Sequence, residues 1–361
     1  MQISGWDFFF RPLVVAVALS LFGASASPPP PVDDAALVAD DPAPSLDAYH
    51  LFTDPSGRLP NAGLTPYALN TPLFSDYAEK FRYLYLPPGK MAAWRTEGVL
   101  DFPVGATLVK VFAYPADFRK PGDRLRYIET RLLIHKPGGW VALTYVWNDA
   151  QNQALLKRAG TRVDVSFVDK NGGERHIDYG VPNVNQCKEC HSLSGAITPI
   201  GPKARNLNRT WTYASGIENE LAHWTRLGLL TGAPDLHDVV VLPRWDDEAA
   251  PIAGRARAYL DVNCGHCHNR AGLASNSGLY LTYEEANDTA LGINKRPVAA
   301  GKGSGDLSFA IAPGHPEQSI LLYRMASTEP GVMMPQIGRT VADAEAVELV
   351  RKYIASLEAT H

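Results

Sequence analysis

The sequence predicts an α+β chain, with an N-terminal antiparallel β domain followed by a helical region. Two observations carry this. From about Tyr49 to Gly180, β-branched and aromatic runs follow one another at short spacing, broken by Pro, Gly and Asn. That spacing leaves no room for crossover helices, so consecutive strands must pair antiparallel and fold over into a small sandwich or open barrel. From about residue 181 the apolar period lengthens to that of amphipathic helices, and every cysteine of the chain lies in this part.

Taken in order, residues 1–26 carry a short apolar run, LVVAVALSLF at 13–22, behind Arg11 and ahead of Gly23-Ala24-Ser25-Ala26. This is the pattern of a secretory signal peptide with cleavage after Ala26. The run is shorter than the ~20 apolar residues of a spanning helix, so no stable transmembrane span is expected after cleavage. Residues 27–47, rich in Pro and Asp (Pro28–Pro31, Asp33, Asp34, Asp40, Asp41), read as a disordered linker.

The β domain, 48–180, has strand signals at 81–86, 107–114, 125–134, 140–147, 161–168 and 174–179. Turn signals such as Pro87-Pro88-Gly89, Pro137-Gly138-Gly139 and Asn171-Gly172-Gly173 separate them. Residues 181–249 hold one convincing helix, 218–230, with Leu221, Trp224 and Leu227 on one face. In 250–361, helices are expected at 253–264, 316–327 and 342–357, the last with Val347, Val350, Ile354 and Leu357 as its apolar stripe.

The pattern C-x-x-C-H occurs twice, as Cys187-Lys188-Glu189-Cys190-His191 and Cys264-Gly265-His266-Cys267-His268. With 4 Cys and 10 His in 361 residues, composition alone gives roughly 0.001 occurrences. Two thiols three positions apart can add to the vinyl groups of one haem, and the following histidine then becomes the proximal iron ligand. Two covalently attached haem c groups are therefore expected, on Cys187, Cys190 and His191, and on Cys264, Cys267 and His268. A zinc ribbon is a poorer reading, because its knuckles lie ~15–20 residues apart and need no histidine after both pairs. A redox dithiol or two disulfides account for the histidines no better. Haem attachment takes place outside the cytoplasmic membrane, so motif and signal peptide agree on a periplasmic location. The net charge of −4 and the lack of a basic block speak against nucleic-acid partners.

The layout of 250–361, a helix running into C-x-x-C-H and an amphipathic helix closing the chain, is that of a class I cytochrome c domain. In such a domain a methionine between these elements supplies the sixth ligand. Gly331-Val332-Met333-Met334-Pro335 lies there, and Met334, directed by the proline after it, is the better candidate. Met325 reads as core packing. The first haem has no such methionine. Met91, His223, His176, His237, Lys203 or no protein ligand all stay open. A carbonyl of the Pro199-Ile200-Gly201-Pro202 turn is a candidate acceptor for the His191 imidazole. His266, between the cysteines of the second motif, is expected to be exposed.

Several longer stretches extend the reading: TPLFSDYAEKFRYLYLPPG (71–89), LDFPVGATLVKVFAY (100–114), ETRLLIHKPGGWVALTYVWND (129–149), NQCKECHSLSGAITPIGPKARNLNR (185–209) and GVMMPQIGRTV (331–341). Together they resemble a group of exported bacterial di-haem c-type cytochromes often encoded beside a parallel β-helix repeat protein. The C-terminal part is also similar to cytochrome domains fused to periplasmic quinoprotein dehydrogenases. The resemblance implies haem attachment at the four cysteines, axial roles for His191 and His268, support for Met334, and redox protein partners such as a dehydrogenase or a β-helix protein. The expected function is single-electron transfer between a donor and a downstream acceptor. The alternative is a haem oxidoreductase with an open first haem and the second as relay.

Overall fold

A computed structural model describes residues 28–299 and 301–358; the signal-peptide reading of residues 1–26 lies outside them. The framework is a six-stranded antiparallel meander of β1 (Leu64–Pro66), β2 (Glu79–Tyr85), β3 (Thr107–Tyr114), β4 (Arg126–Lys136), β5 (Gly139–Trp147) and β6 (Ala154–Leu156), paired in chain order. The four long strands fall where the alternating runs predicted them.

The pleat sorts the side chains of β3 to two faces. Val109, Val111 and Ala113 enter a core with Leu37, Leu46, Tyr49, Leu132 and Tyr145. That core overturns the expected linker. Residues from Val32 onward fold onto the sheet, with Asp33 accepting from the Ala36 amide (2.9 Å) to start helix α1 (Asp34–Val38). Leu37 is fully buried, and the Tyr49 and Tyr145 hydroxyls meet at 2.8 Å. The acidic, proline-rich composition hid two apolar anchors, Leu37 and Leu46.

The other face carries Leu108, Lys110, Phe112 and Tyr114. At one end Phe112 and Tyr114 pack under a hairpin of β7 (Thr161–Val168) and β8 (Glu174–Val181), through Val165, Phe167, Ile177 and Tyr179. At the other end Leu84, Leu108 and Leu133 pack against Leu207, Leu221 and Trp224 of the following region. This gives the sandwich-like layering expected of 48–180.

Residues 181–249 differ from expectation in two places. A hairpin of β9 (Thr210–Tyr213) and β10 (Gly216–Asn219) precedes helix α3 (Glu220–Arg226), which is shorter than the periodicity implied. Leu221 and Trp224 are buried as expected, but Leu227 follows the helix and is exposed. Upstream, α2 (Val184–His191) carries the first C-x-x-C-H segment.

In 250–361, α4 (Ile252–Asn263), α5 (Ile320–Ala326) and α6 (Ala344–Ser356) form the expected helical core. Ala256, Tyr259 and Leu260 of α4 pack with Leu349, Val350, Tyr353 and Ile354 of α6, and Met325 is buried there too. Helix α4 leads directly into the second motif.

From Pro31 on, the chain forms one compact unit. Polar ties explain why. Asp76, just before β2, accepts from the Thr340 amide (2.6 Å), the Val341 amide (3.0 Å) and the Thr340 hydroxyl (3.0 Å). Asn263 accepts from the Phe74 amide (2.7 Å). The buried Asp261 carboxylate takes Lys203 (2.9 Å) and Arg205 (3.1 Å), which hold it below the usual carboxylate range against the opposing cost of burial.

Candidate functional site: two adjoining clefts

Helix α2 starts on a capping box. Asn183 accepts from the Gln186 amide (3.0 Å), and Gln186 Oε1 accepts from the Asn183 amide (2.9 Å). With the start fixed, Cys187, Cys190 and His191 fall at i, i+3 and i+4, on one face of the final turns. All three line a cleft of about 1540 Å³, counted to its open mouth. The second motif begins at the C-terminal cap of α4, Cys264. Its Gly265 lies so close to that helix that a Cβ would sit 2.6 Å from the Asp261 carbonyl oxygen, so no other residue fits. Cys264, Cys267 and His268 line a second cleft of about 1560 Å³.

The clefts adjoin. Cys190, Asn263, Cys264, His266, Met325 and Met334 line both. Sequence reasoning put both motifs in one helical region but had no means of seeing this common wall. His266 is part of it, which overturns its expected exposure: its Nδ1 is buried without a hydrogen-bond partner, and burial pushes its imidazole down to about 4.

Both motif histidines have one ring nitrogen engaged. His191 Nδ1 lies 2.7 Å from the Thr198 carbonyl oxygen, and the Thr198 amide returns a bond to the His191 carbonyl (2.8 Å). The acceptor is thus the residue before Pro199, not a carbonyl of the proline turn itself. Ser277 donates its hydroxyl to the Ala274 carbonyl (2.6 Å), leaving a lone pair for His268 Nδ1 at 3.3 Å. Burial pushes His191 down to about 4 and lowers His268 as well, so both rings are neutral at pH 7, the form that binds metals. With Nδ1 carrying the proton, Nε2 keeps a free lone pair.

The thiols are equally telling. Burial pushes Cys190 and Cys264 up to about 12 each and raises Cys187 and Cys267. A redox dithiol needs the opposite, a thiolate stabilised near neutral pH. Among the described residues, no three His, Cys, Asp or Glu side chains gather to hold a bare metal ion.

Of the two adjacent methionines, Met334 lines both clefts, whereas Met333 is buried toward a different groove beside Gly180 and Thr340. Arg339 fixes the loop between them and α6. It donates to the carbonyls of Met334 (2.9 Å), Ser327 (2.8 Å) and Met325 (3.1 Å) through Nη2, and to that of Val341 (3.1 Å) through Nη1.

None of the candidates raised for the first site lines its cleft. Met91 is half exposed elsewhere. His223 stacks on Tyr213 with ring centroids 3.4 Å apart and bonds Glu218 (2.7 Å). His176 pairs with Ser166 on the hairpin, His237 is exposed on a surface turn, and Lys203 is taken by Asp261. The cleft wall is instead a row across four strands, in which Arg82 faces Lys110, Lys110 faces Arg131 and Arg131 faces Thr144. Thr144 and Cys187 line this cleft together. Arg131 is paired with the buried Glu129, while burial pulls Lys110 well below the ordinary lysine range. The only lone cation among these strand runs is Lys110 in TLVKVFAY; Arg82 shares its strand with Glu79 and Lys80, and Arg131 shares its strand with Arg126 and Glu129, so the row had no clear signal in the sequence.

No family model, curated protein or solved structure matches this chain.

Proposed function

We propose that the protein is a periplasmic di-haem c-type cytochrome that passes single electrons between a donor, such as a dehydrogenase, and a downstream acceptor. One observation carries this reading: each C-x-x-C-H segment opens onto its own cleft, with a neutral histidine whose second nitrogen is already bonded. The donor set fits a haem. Cys187 and Cys190 would hold one group by thioether links with His191 as ligand, and Cys264 and Cys267 the other with His268 and Met334. A haem so held supplies a reversible one-electron iron couple, and a thioether ligand raises its potential.

The chain's own residues supply the rest. Thr198 and Ser277 keep the proton on Nδ1 of each histidine and so direct Nε2 into the cleft. Arg339 holds the Met334 loop by its backbone. Leu279, Leu281, Ile320 and Leu321 present an apolar lining to the second cleft and limit water there. The common wall leaves side chains rather than a domain gap between the sites, which suits transfer from one to the other. The resemblance to exported di-haem cytochromes supports the same reading.

Intact mass and a pyridine haemochrome assay of the chain exported from a host competent in haem attachment test this directly. Two covalent haems per chain are expected; a bare polypeptide with four free thiols would sink the proposal.

A second reading rests on the cationic wall of the first cleft, which offers no methionine or histidine from the sheet. In it the protein is an oxidoreductase whose first haem exchanges ligands while the second relays electrons. A high-spin ferric component that shifts on adding cyanide or hydroxylamine favours it; a wholly low-spin resting spectrum removes it.

A further inference from the structure

Two of the three cations on the sheet wall of the first cleft lack a counter-charge. Arg82 is only 8% exposed, its single hydrogen bond goes to the Lys80 carbonyl (3.3 Å), and its Nη2 is buried without a partner. Among the described residues the Lys110 side chain makes no hydrogen bond or ion pair, and its ammonium lies over the Phe112 ring (4.7 Å). Arg131, by contrast, donates to Glu129 through Nε (3.0 Å) and Nη2. Glu220, the acid whose field reaches Arg82, is pushed up to about 8 by burial and is therefore largely neutral at pH 7. Burying cations without an anion is strongly unfavourable, and a fold tolerates it where a ligand brings the missing charge.

The row has a direction. It begins at Thr144, which lines the cleft with Cys187, and runs away from that side over three strand spacings, about 14 Å at ~4.8 Å each. The unpaired charges therefore lie at the far end from the attachment cysteine.

We propose that Arg82 and Lys110 form a carboxylate-binding site on the sheet wall of the first cleft. The site follows from the unpaired cations; only the identity of its ligand rests on the haem reading. Under that reading the ligand is the pair of propionate carboxylates of the haem on Cys187 and Cys190. The other source of the same chemistry is a free carboxylate bound beside that group. An Arg guanidinium suits either, because it can take a carboxylate through two parallel bonds.

The test uses the full exported chain and compares wild type with Arg82→Gln, Arg82→Lys and Lys110→Met. Each is weighed by intact mass, titrated potentiometrically in the Soret band, and titrated with succinate while its unfolding temperature is followed. With propionates as the source, wild type ignores succinate. Arg82→Gln then keeps both haems but moves one midpoint potential down, because a lost cation favours the ferric state. The other potential stays, and Arg82→Lys restores the first. Should Arg82→Gln misfold, Lys110→Met removes the amine that a facing carboxylate would hold protonated, and gives the same downward shift. With a free carboxylate as the source, succinate raises the unfolding temperature of wild type, and Arg82→Gln weakens its binding about tenfold or more. Variants that match wild type in both potentials and in their response to succinate overturn the site. A bare polypeptide mass overturns the haem reading alone; a succinate response then upholds the carboxylate site, and its absence refutes it.

Discussion

The second cleft draws on one short stretch of chain, the first on almost all of it. Around Cys264, Cys267 and His268, the walls come mainly from residues 263–337, with a methionine loop held by Arg339. Around Cys187, Cys190 and His191, one wall is a sheet whose strands come from residues 79–147, and another comes from α4 and the Met334 loop. Both sites share the thioethers of Met325 and Met334 in their common wall; the first adds the cationic row of the sheet, and the second adds Leu279, Leu281, Ile320 and Leu321 beside Lys295, Arg296 and Arg324. The same five-residue motif thus ends in two environments; under the proposed function the motif would specify attachment, while the surroundings would decide what the attached group can do.

The largest effect that can break this comparison is removal of one attachment site. Cys187→Ala with Cys190→Ala is expected to cost one haem and much of the fold's resistance to protease, because the group fills space between sheet and helices. Cys264→Ala with Cys267→Ala should cost the other haem with less damage to the sheet. Haem stain and limited proteolysis compare them, and normal export with parental protease resistance of the first variant would contradict the account. Since the clefts share a wall, each variant should also disturb the spectrum of the remaining haem.

The neighbouring methionines give a sharper contrast. Met334→Ala should convert one ferric haem from low to high spin and lower its potential. Met333→Ala should leave the spectrum intact and cost about 2–5 kcal/mol of stability, the usual loss for a buried methionine. Chemical denaturation and visible spectra of both variants check this pair.

A smaller effect depends on pH. Glu220 supports α3 under the sheet by accepting from the Ala68 amide (2.8 Å), and burial pushes its carboxyl up from 4.5 to about 8. A carboxyl raised in the fold contributes stability that is full below its unfolded value and is lost as pH rises through the folded one. Wild type should therefore lose up to a few kcal/mol between pH 5 and 9, and Glu220→Gln should lose less. Equal losses in urea melts would remove Glu220 from the account.

The least effect is expected of Ser277→Ala. It deletes one acceptor at His268 Nδ1, worth about 0.5–1.5 kcal/mol, and should shift the higher of the two potentials only. A shift in the lower potential would mean that the assignment of sites to potentials is reversed.

The legible parts of the molecule were those set by local pattern. Strands such as TLVKVFAY alternate strictly, and the helix into Cys264 and the closing helix carry their own apolar stripes, so their positions follow from short windows. The two C-x-x-C-H segments were legible for the same reason, since each is contiguous; the haem attachment they imply belongs to the proposed function. What escaped was non-local. Leu37 and Tyr49 find their partner Tyr145 almost a hundred residues away, so a Pro- and Asp-rich segment that looks unfolded is held by the sheet. The row of Arg82, Lys110 and Arg131 exists only once the register of three strands is known. His266 looked free because its neighbours in sequence gave no hint that the two motifs meet.

The most direct test of the central claim, two haems in adjoining but unlike sites, is a potentiometric titration of the full exported chain, wild type beside Met334→Ala. The account predicts two one-electron waves in wild type, with the higher one displaced downward by Met334→Ala. A single one-electron wave, or two waves that Met334→Ala leaves in place, would contradict it.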